Sequence, residues 1–423
     1  MLPSAGDRRG PSGASRPGRA FRSRRALQGP GAPPGQGNRK PGAGRRGGPG
    51  AARAARTRPQ KETQITNFTP APDFAGLWKQ SGGAVSVIGA GAWGTALALH
   101  AARLGHRVTL WARREEIAER INSARENPDF LPGTRLDGAL RAVSDPRKAA
   151  EGAALVVWAV PSHGLREVAR RILPHLSEGA AQVSASKGIE DGTFLTMSEI
   201  LASETPPGRV TTVGALSGPS FAKEVAKGLP TAVTLGMRDA ATARLVQALL
   251  SAPVFRIYTS EDLRGVELGG ALKNVYAIAA GICDGLELGL NARAAFLTRS
   301  LAEMTRLAGV MGAQPLTLSG LSGMGDLILT ATGGLSRNRQ VGLRLGAGET
   351  LDQILCGRRD VAEGVKNARS VWGMAQDRKV GMPVAREVYR VLYEGKSPRQ
   401  GMVDLLTRTL TDELPPEVLG RVL

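Results

Sequence analysis

The chain has 423 residues, long enough for two or three domains, and its apolar content of 42% is sufficient for ordinary buried cores. The formal charge of +19 suggests nucleic acid, but residues 1–61 alone carry +14, which leaves +5 on the rest: an ordinary surface, mildly suited to anionic substrates. No apolar run approaches the ~20 residues of a membrane span, no secretory signal core is visible, and Cys283 and Cys356 stand in no disulfide or metal-ligand spacing, so no metal is expected and a reducing, cytoplasmic setting fits.

Residues 1–81 are rich in Arg, Gly and Pro and have no apolar periodicity to bury, so they read as a disordered extension. A tail touching nucleic acid or membrane, an Arg-rich transit peptide and an over-long translation start all fit. The GC-rich codons of its common residues favour the last, or a passive tail, and no function is assigned. From Ala84 the pattern changes. Ala84–Ile88 is a short apolar strand, followed by a Gly-rich turn and a helical run, Thr95–Leu104. Arg107–Trp111 is a second strand, residues 114–125 a helix, and Leu155–Val160 a third, buried strand closed by Pro161. Gln182–Ala185 and Thr211–Ala215 are further strands. This alternation predicts an α/β domain over 82–262, a doubly wound, Rossmann-like parallel sheet. Beyond 262 the strand signals stop. Leu268–Leu286, Ala292–Met311, Arg337–Leu345, Val361–Arg378 and Val384–Leu392 read as helices, predicting an all-α domain over 263–423.

The first candidate site is Gly89-Ala90-Gly91-Ala92-Trp93-Gly94. A GxGxxG alone is weak, but this one follows a strand and opens a helix. There the first glycine permits the tight turn, the second admits a pyrophosphate, and the third allows close helix–strand packing, with the helix N-terminus facing the phosphates. About 20 residues on, an NAD-selective site would place an acid at the end of the next strand. Here the strand ends in Ala112-Arg113-Arg114, and arginine suits a 2′-phosphate, so NADP(H) is expected as the preferred cofactor, with NAD(H) possible. A solvated helix start is the other reading of Arg113 and Arg114.

The chain resembles the bacterial NAD(P)-dependent glycerol-3-phosphate dehydrogenases over nearly all of residues 84–410. The likeness is carried by Val87-Ile88-Gly89-Ala90-Gly91-Ala92-Trp93-Gly94-Thr95, Val160-Pro161-Ser162-His163, Ser186-Lys187-Gly188, Ser217-Gly218-Pro219-Ser220-Phe221-Ala222, Gly269-Gly270-Ala271-Leu272-Lys273-Asn274, Gly323-Met324-Gly325-Asp326-Leu327, Ser336-Arg337-Asn338 and Val361-Ala362-Glu363-Gly364. Each block is short; their joint order and spacing are specific.

The resemblance implies reversible reduction of dihydroxyacetone phosphate to glycerol 3-phosphate for glycerophospholipid synthesis, a phosphorylated triose as the small-molecule partner, and a homodimer. It implies that Lys273 is the catalytic proton acceptor in glycerol 3-phosphate oxidation. The chemistry agrees: burial and a second cation can bring a lysine into a useful range, and Lys273 lies in a run of small and apolar residues. By the same likeness Lys187 touches substrate and cofactor, and Gly218, Ser220 and Asp326 touch substrate. Ser336, Arg337 and Asn338, which together offer a hydroxyl, a charged fork and an amide, bind the phosphate, with Arg337 also near the cofactor. Ala92, Trp93, Phe130, Ala222, Val361 and Glu363 match cofactor-contacting positions. Ala92 departs from the serine that many members carry, which removes a hydroxyl contact and leaves the backbone amide. For Phe130 a loop-anchoring role is an equal alternative. His163 reads as a loop residue, since lysine chemistry suffices. A dehydrogenase of hydroxy acids and a non-catalytic NADP-binding sensor are the competing functions.

Overall fold

The computed structural model describes residues 73–356, 362–410 and 413. Eight strands form one sheet: β1 (Ala84–Ile88), β2 (Arg107–Trp111), β3 (Leu140–Val143), β4 (Leu155–Trp158), β5 (Ala181–Ser184), β6 (Thr212–Ser217), β7 (Thr231–Met237) and β8 (Phe255–Ser260), in the order β3-β2-β1-β4-β5-β6-β7-β8. The pairs from β3 through β6 are all parallel. β6 pairs antiparallel with β7, and β7 parallel with β8, so the last two strands run against the others. The expected parallel sheet therefore gains a reversed edge. The 3-2-1-4-5-6 order places a topological switch between β1 and β4, where such sheets open a crevice beyond their strand ends.

β1 shows why a continuous apolar run folds this way. Val85 and Val87 join one core with the helix Ala92–Arg103, while Ile88 faces the other, with Trp111, Trp158 and the helix Leu165–Ile172. A parallel strand covered on both faces has no exposed side to encode by alternation. Ser86 is the polar exception on β1. Its buried hydroxyl donates to the Ala149 carbonyl at 2.6 Å.

After β8 the elements among the described residues are all helices. The helix Leu263–Gly285 is buried on nearly every side and forms the centre of a second core with Leu327, Val341, Val365 and Met374. A helix apolar all round belongs inside a protein. Its glycines let backbones touch it. A Cβ at Gly281 would meet the Leu343 amide and the Gly342 Cα at 2.8 and 2.9 Å, so the helix Arg337–Gly346 lies directly against it. A Cβ at Gly269 would stand 2.6 Å from the Ser322 carbonyl oxygen, which seats the turn before Asp326 one helical turn from Lys273.

Two expectations on element limits change. The first helix begins at Ala92 rather than Thr95, with Gly94 inside its opening turn. Residues 74–80, which the sequence placed in the low-complexity extension, form a helix capped by Asp73, with Phe74 buried in the sheet core.

Candidate active site

At the end of β1, Gly89 has φ +116°, a conformation open to glycine, and a Cβ there would press on the Ala159 carbonyl. At Gly94 a Cβ would collide with the Gly89 carbonyl oxygen. Gly91 differs from both. Its backbone is extended, it caps the helix Ala92–Arg103, and a Cβ placed on it would meet nothing within 4 Å. The fold needs glycine at 89 and 94 but not at 91; the open space there is what a pyrophosphate requires. The helix begins with Thr95 N–H donating to the Gly91 carbonyl at 2.9 Å, so the amides of Ala92, Trp93 and Gly94 precede the first intrahelical bond. These residues fit a dinucleotide.

The other residues expected at the cofactor stand as follows. The Trp93 indole donates to the Ala185 carbonyl at 3.2 Å, linking the turn to the end of β5. Arg113 and Arg114 follow β2 and are exposed; Arg114 caps the helix Glu115–Ala124 and lies 3.7 Å from Asp129. Phe130 and Ala222 are half-buried and pack against the sheet core. Glu363 opens the helix Glu363–Asp377, and its carboxylate accepts from the Ser162 hydroxyl at 2.6 Å and the Ser162 amide at 3.3 Å. Val361 lies outside the described residues. His163, in the turn after β4, has its pKa lowered by burial, with the charges of Lys366 and Arg113 adding to the effect.

The second cluster is built from distant segments. Asp326 opens the helix Asp326–Thr332 and is 1% exposed. One carboxylate oxygen accepts from Lys273 Nζ at 2.9 Å and the other from Lys187 Nζ at 2.6 Å. Lys273 also donates to the Thr330 hydroxyl at 2.5 Å, and Lys187 to the Gly218 carbonyl at 3.0 Å. Burial drives the Lys273 pKa from 10.5 down to about 8; the Asp326 charge opposes that fall and the Lys187 charge adds to it. Burial also works to raise the Asp326 pKa, but the two ammonium groups outweigh it and hold the carboxyl below its ordinary value. A buried carboxylate thus clamps two lysines, one of them brought near neutrality.

Two small residues stand beside Lys187. Gly218 follows β6 with φ +144°, and a Cβ there would stand 2.9 Å from Val233 Cα. Ser220 donates to the Gly218 carbonyl at 2.9 Å. At the third segment, the Ser336 hydroxyl caps the helix Arg337–Gly346 by accepting from the Arg339 amide at 3.2 Å. Asn338 donates to the Asn274 side chain and accepts from the Gly364 amide, both at 2.9 Å. Ser336 and Asn338 are buried, and Arg337 between them is exposed. Thr330, Ser162 and Asn274 were not found from the sequence. Ser162 and Asn274 stood inside blocks of the family likeness without an assigned role, and Thr330 carried the i, i+4 spacing from Asp326 on one helix face.

The chain matches family models along both parts. Residues 84–243 match the NAD-dependent glycerol-3-phosphate dehydrogenase N-terminus and residues 262–403 the C-terminus of the same family. It is 51% identical over 329 residues to the glycerol-3-phosphate dehydrogenase [NAD(P)+] of Citrifermentans bemidjiense, a match covering 78% of this chain and 98% of that protein. Among solved structures, the glycerol-3-phosphate dehydrogenase of Coxiella burnetii superposes with a TM-score of 0.74 at 39% identity, covering 77% of this chain and 99% of that one. The yeast enzyme superposes with a TM-score of 0.67 at 26% identity, over 77% and 99% of the two chains. The glycine turn, the two lysines held by Asp326 and both family models agree, and the chain belongs to the NAD-dependent glycerol-3-phosphate dehydrogenase family.

Proposed function

We propose that Lys273 is the proton-transferring residue of this NAD(P)-dependent glycerol-3-phosphate dehydrogenase, an oxidoreductase acting on a CH–OH group. The observation that carries the proposal is the clamp in which buried Asp326 holds Lys273 and Lys187 together. The nicotinamide, when bound, supplies the hydride to the carbonyl carbon of dihydroxyacetone phosphate. Protonated Lys273 hydrogen-bonds the carbonyl oxygen and gives it a proton as the C–O double bond becomes the C–O single bond of glycerol 3-phosphate. The neutral amine left behind regains a proton from solvent. In the reverse direction neutral Lys273 takes the hydroxyl proton. A lysine with a pKa of about 8 populates both forms near neutral pH.

Lys187, bonded to Asp326, orients the substrate, with Gly218 and Ser220 alongside. Asp326 fixes both ammonium groups, a role beyond the substrate-hydroxyl contact that the sequence suggested. Arg337 and the amides at the N-terminus of the helix Arg337–Gly346 receive the substrate phosphate, with Ser336 and Asn338 shaping that terminus. On the cofactor side Gly89, Gly91, Ala92, Trp93 and Gly94 bind the pyrophosphate; Phe130, Ala222, Val361 and Glu363 surround the rest. Arg113 and Arg114 take the 2′-phosphate, which makes NADP(H) the preferred cofactor and NAD(H) a tolerated one. Residues 82–262 form the cofactor domain and 263–423 the catalytic one, in a cytoplasmic homodimer whose product feeds glycerophospholipid synthesis.

The test is spectrophotometric. Purified protein with dihydroxyacetone phosphate should oxidise NADPH. Turnover of a 2-keto acid in place of the phosphate ester would overturn the substrate reading.

A further inference from the structure

Asn127 lies in the segment between the helix Glu115–Ala124 and β3, outside every motif considered so far. It is 1% exposed. Its Nδ2 donates twice, to the Ala90 carbonyl at 2.9 Å and to the Thr95 hydroxyl at 2.8 Å. Both acceptors belong to the glycine turn: Ala90 stands between Gly89 and Gly91, and Thr95 follows Gly94. Asn127 Oδ1 is buried and has no hydrogen-bond partner among the described residues. An unpaired buried acceptor is costly, and rotating the amide would set that oxygen against the Ala90 carbonyl. The side chain is therefore held with both donors on the turn.

The consequence follows from peptide geometry. In a trans peptide the C=O and N–H point to opposite sides. Anchoring the Ala90 carbonyl on Asn127 fixes the Ala90–Gly91 plane and turns the Gly91 N–H away from Asn127. It also sets the angle at which the chain enters the helix Ala92–Arg103. The Asn127 backbone carbonyl accepts from the Leu131 amide at 2.8 Å, closing the turn that carries Phe130. One residue thus ties the glycine turn to the loop beside it.

We infer that Asn127 is a positioning residue for the dinucleotide, holding the Ala90–Gly91 peptide in the orientation that presents the turn's amides to the pyrophosphate. This rests on the reading that the Gly89–Gly94 turn holds that group. The experiment titrates purified protein with NADPH, following nicotinamide fluorescence, alongside steady-state kinetics and thermal melting. Asn127→Leu removes both donors at similar volume. Its Kd and KM for NADPH should rise by about tenfold, the scale of a lost hydrogen bond, while kcat at saturating NADPH and KM for dihydroxyacetone phosphate stay within about twofold. Thr95→Val removes one acceptor and leaves the Ala90 bond, so its Kd should remain near that of the parent. A lower Tm with unchanged Kd in Asn127→Leu would overturn the inference, as would a Thr95→Val loss equal to that of Asn127→Leu. Should Asn127→Leu not fold, Asn127→Asp is read by the same outcomes. Gly91→Val separates the two levels. It fills the space left for the pyrophosphate, and if it binds NADPH normally, the reading of the turn itself fails, whatever Asn127 does.

Discussion

The glycine turn after β1 and the lysine–aspartate clamp are built by opposite means. The turn is six consecutive residues, and its chemistry is backbone: a positive φ, a close contact and an open face. The clamp joins Lys187, Lys273 and Asp326, the lysines lying 139 and 53 residues from the carboxylate, and its chemistry is buried charge. A local backbone site can be read from spacing, because each glycine has its own steric reason. A site of distant charges depends on which helices meet. It also carries an energetic liability, since charges taken out of water are held only by one another.

The largest expected effect is on the clamp. Lys273→Met should lower kcat by about 10²–10⁴-fold, the usual scale of acid–base assistance, with the NADPH Kd nearly unchanged. A variant that kept full turnover would detach the clamp from the chemistry. The pH profile probes the same pair. Reduction needs protonated Lys273, so its rate should fall as pH rises through about 8, and oxidation should rise over the same range. Because the Lys187 charge helps to depress Lys273, Lys187→Met should move both limbs to higher pH. A limb that stayed in place would mean that the two lysines are not coupled.

The turn is probed by two substitutions of the same kind. Gly94→Ala sets a methyl on the Gly89 carbonyl and should cost about 1–3 kcal/mol of stability, the usual price of overpacking, seen as a lower Tm. Gly91→Ala sets a methyl into open space and should leave Tm unchanged while raising the NADPH Kd by about tenfold. If both variants lost stability alike, the turn would be merely structural. Further out, Arg113→Ala should lower the NADPH-to-NADH ratio of kcat/KM by about tenfold, the worth of one charge-assisted hydrogen bond. No change in that ratio would leave Arg113 as the solvated residue of the alternative reading.

This contrast also decides what could be read from the sequence. β1, β2 and β4 were recognisable as apolar runs bounded by turns. β3, β7 and β8 were not read as strands: Leu140–Val143 has four residues, and Phe255–Ser260 alternates only at its start. The reversal at β7 had no local signal, because strand direction is set by pairing. The helix after β1 was expected from Thr95, with the glycines before it read as a turn; in the structure it starts at Ala92, and the missing Cβ of Gly94 allows its opening turn to pack. In the site, Lys273 drew notice as a charge among apolar residues. The resemblance placed Asp326 at the substrate, and its bond to Lys273 was not read from the sequence. Asn127 was missed because asparagine before proline in a loop reads as turn chemistry, and its partners are 37 and 32 residues away.

The smallest expected effect concerns a buried charge outside the site. Glu303, on the helix Gly289–Val310, accepts from the Tyr276 hydroxyl at 3.1 Å and from the amides of Val384 and Ala385 at 2.8 and 3.2 Å. Burial pushes its pKa from 4.5 up to about 7, against the pull of those donors and of Arg306. A carboxyl with a raised folded-state pKa contributes stability that is fully present below its unfolded value and is lost as pH rises through the folded one. The Glu303 contribution should therefore fade between about pH 4.5 and 7, so Tm should be higher at pH 5 than at pH 8. Glu303→Gln cannot ionise and should flatten that decline by ~2–4 °C, the shift that about 1 kcal/mol produces in larger domains. Glu267, also raised to about 7 by burial and bonded to Ser198, would sustain the remaining slope. The Lys273 pH–rate limbs should stay where they are in Glu303→Gln. If they moved with the stability curve, they would be reporting unfolding, and the assignment of the limb near pH 8 to proton transfer would have to be withdrawn.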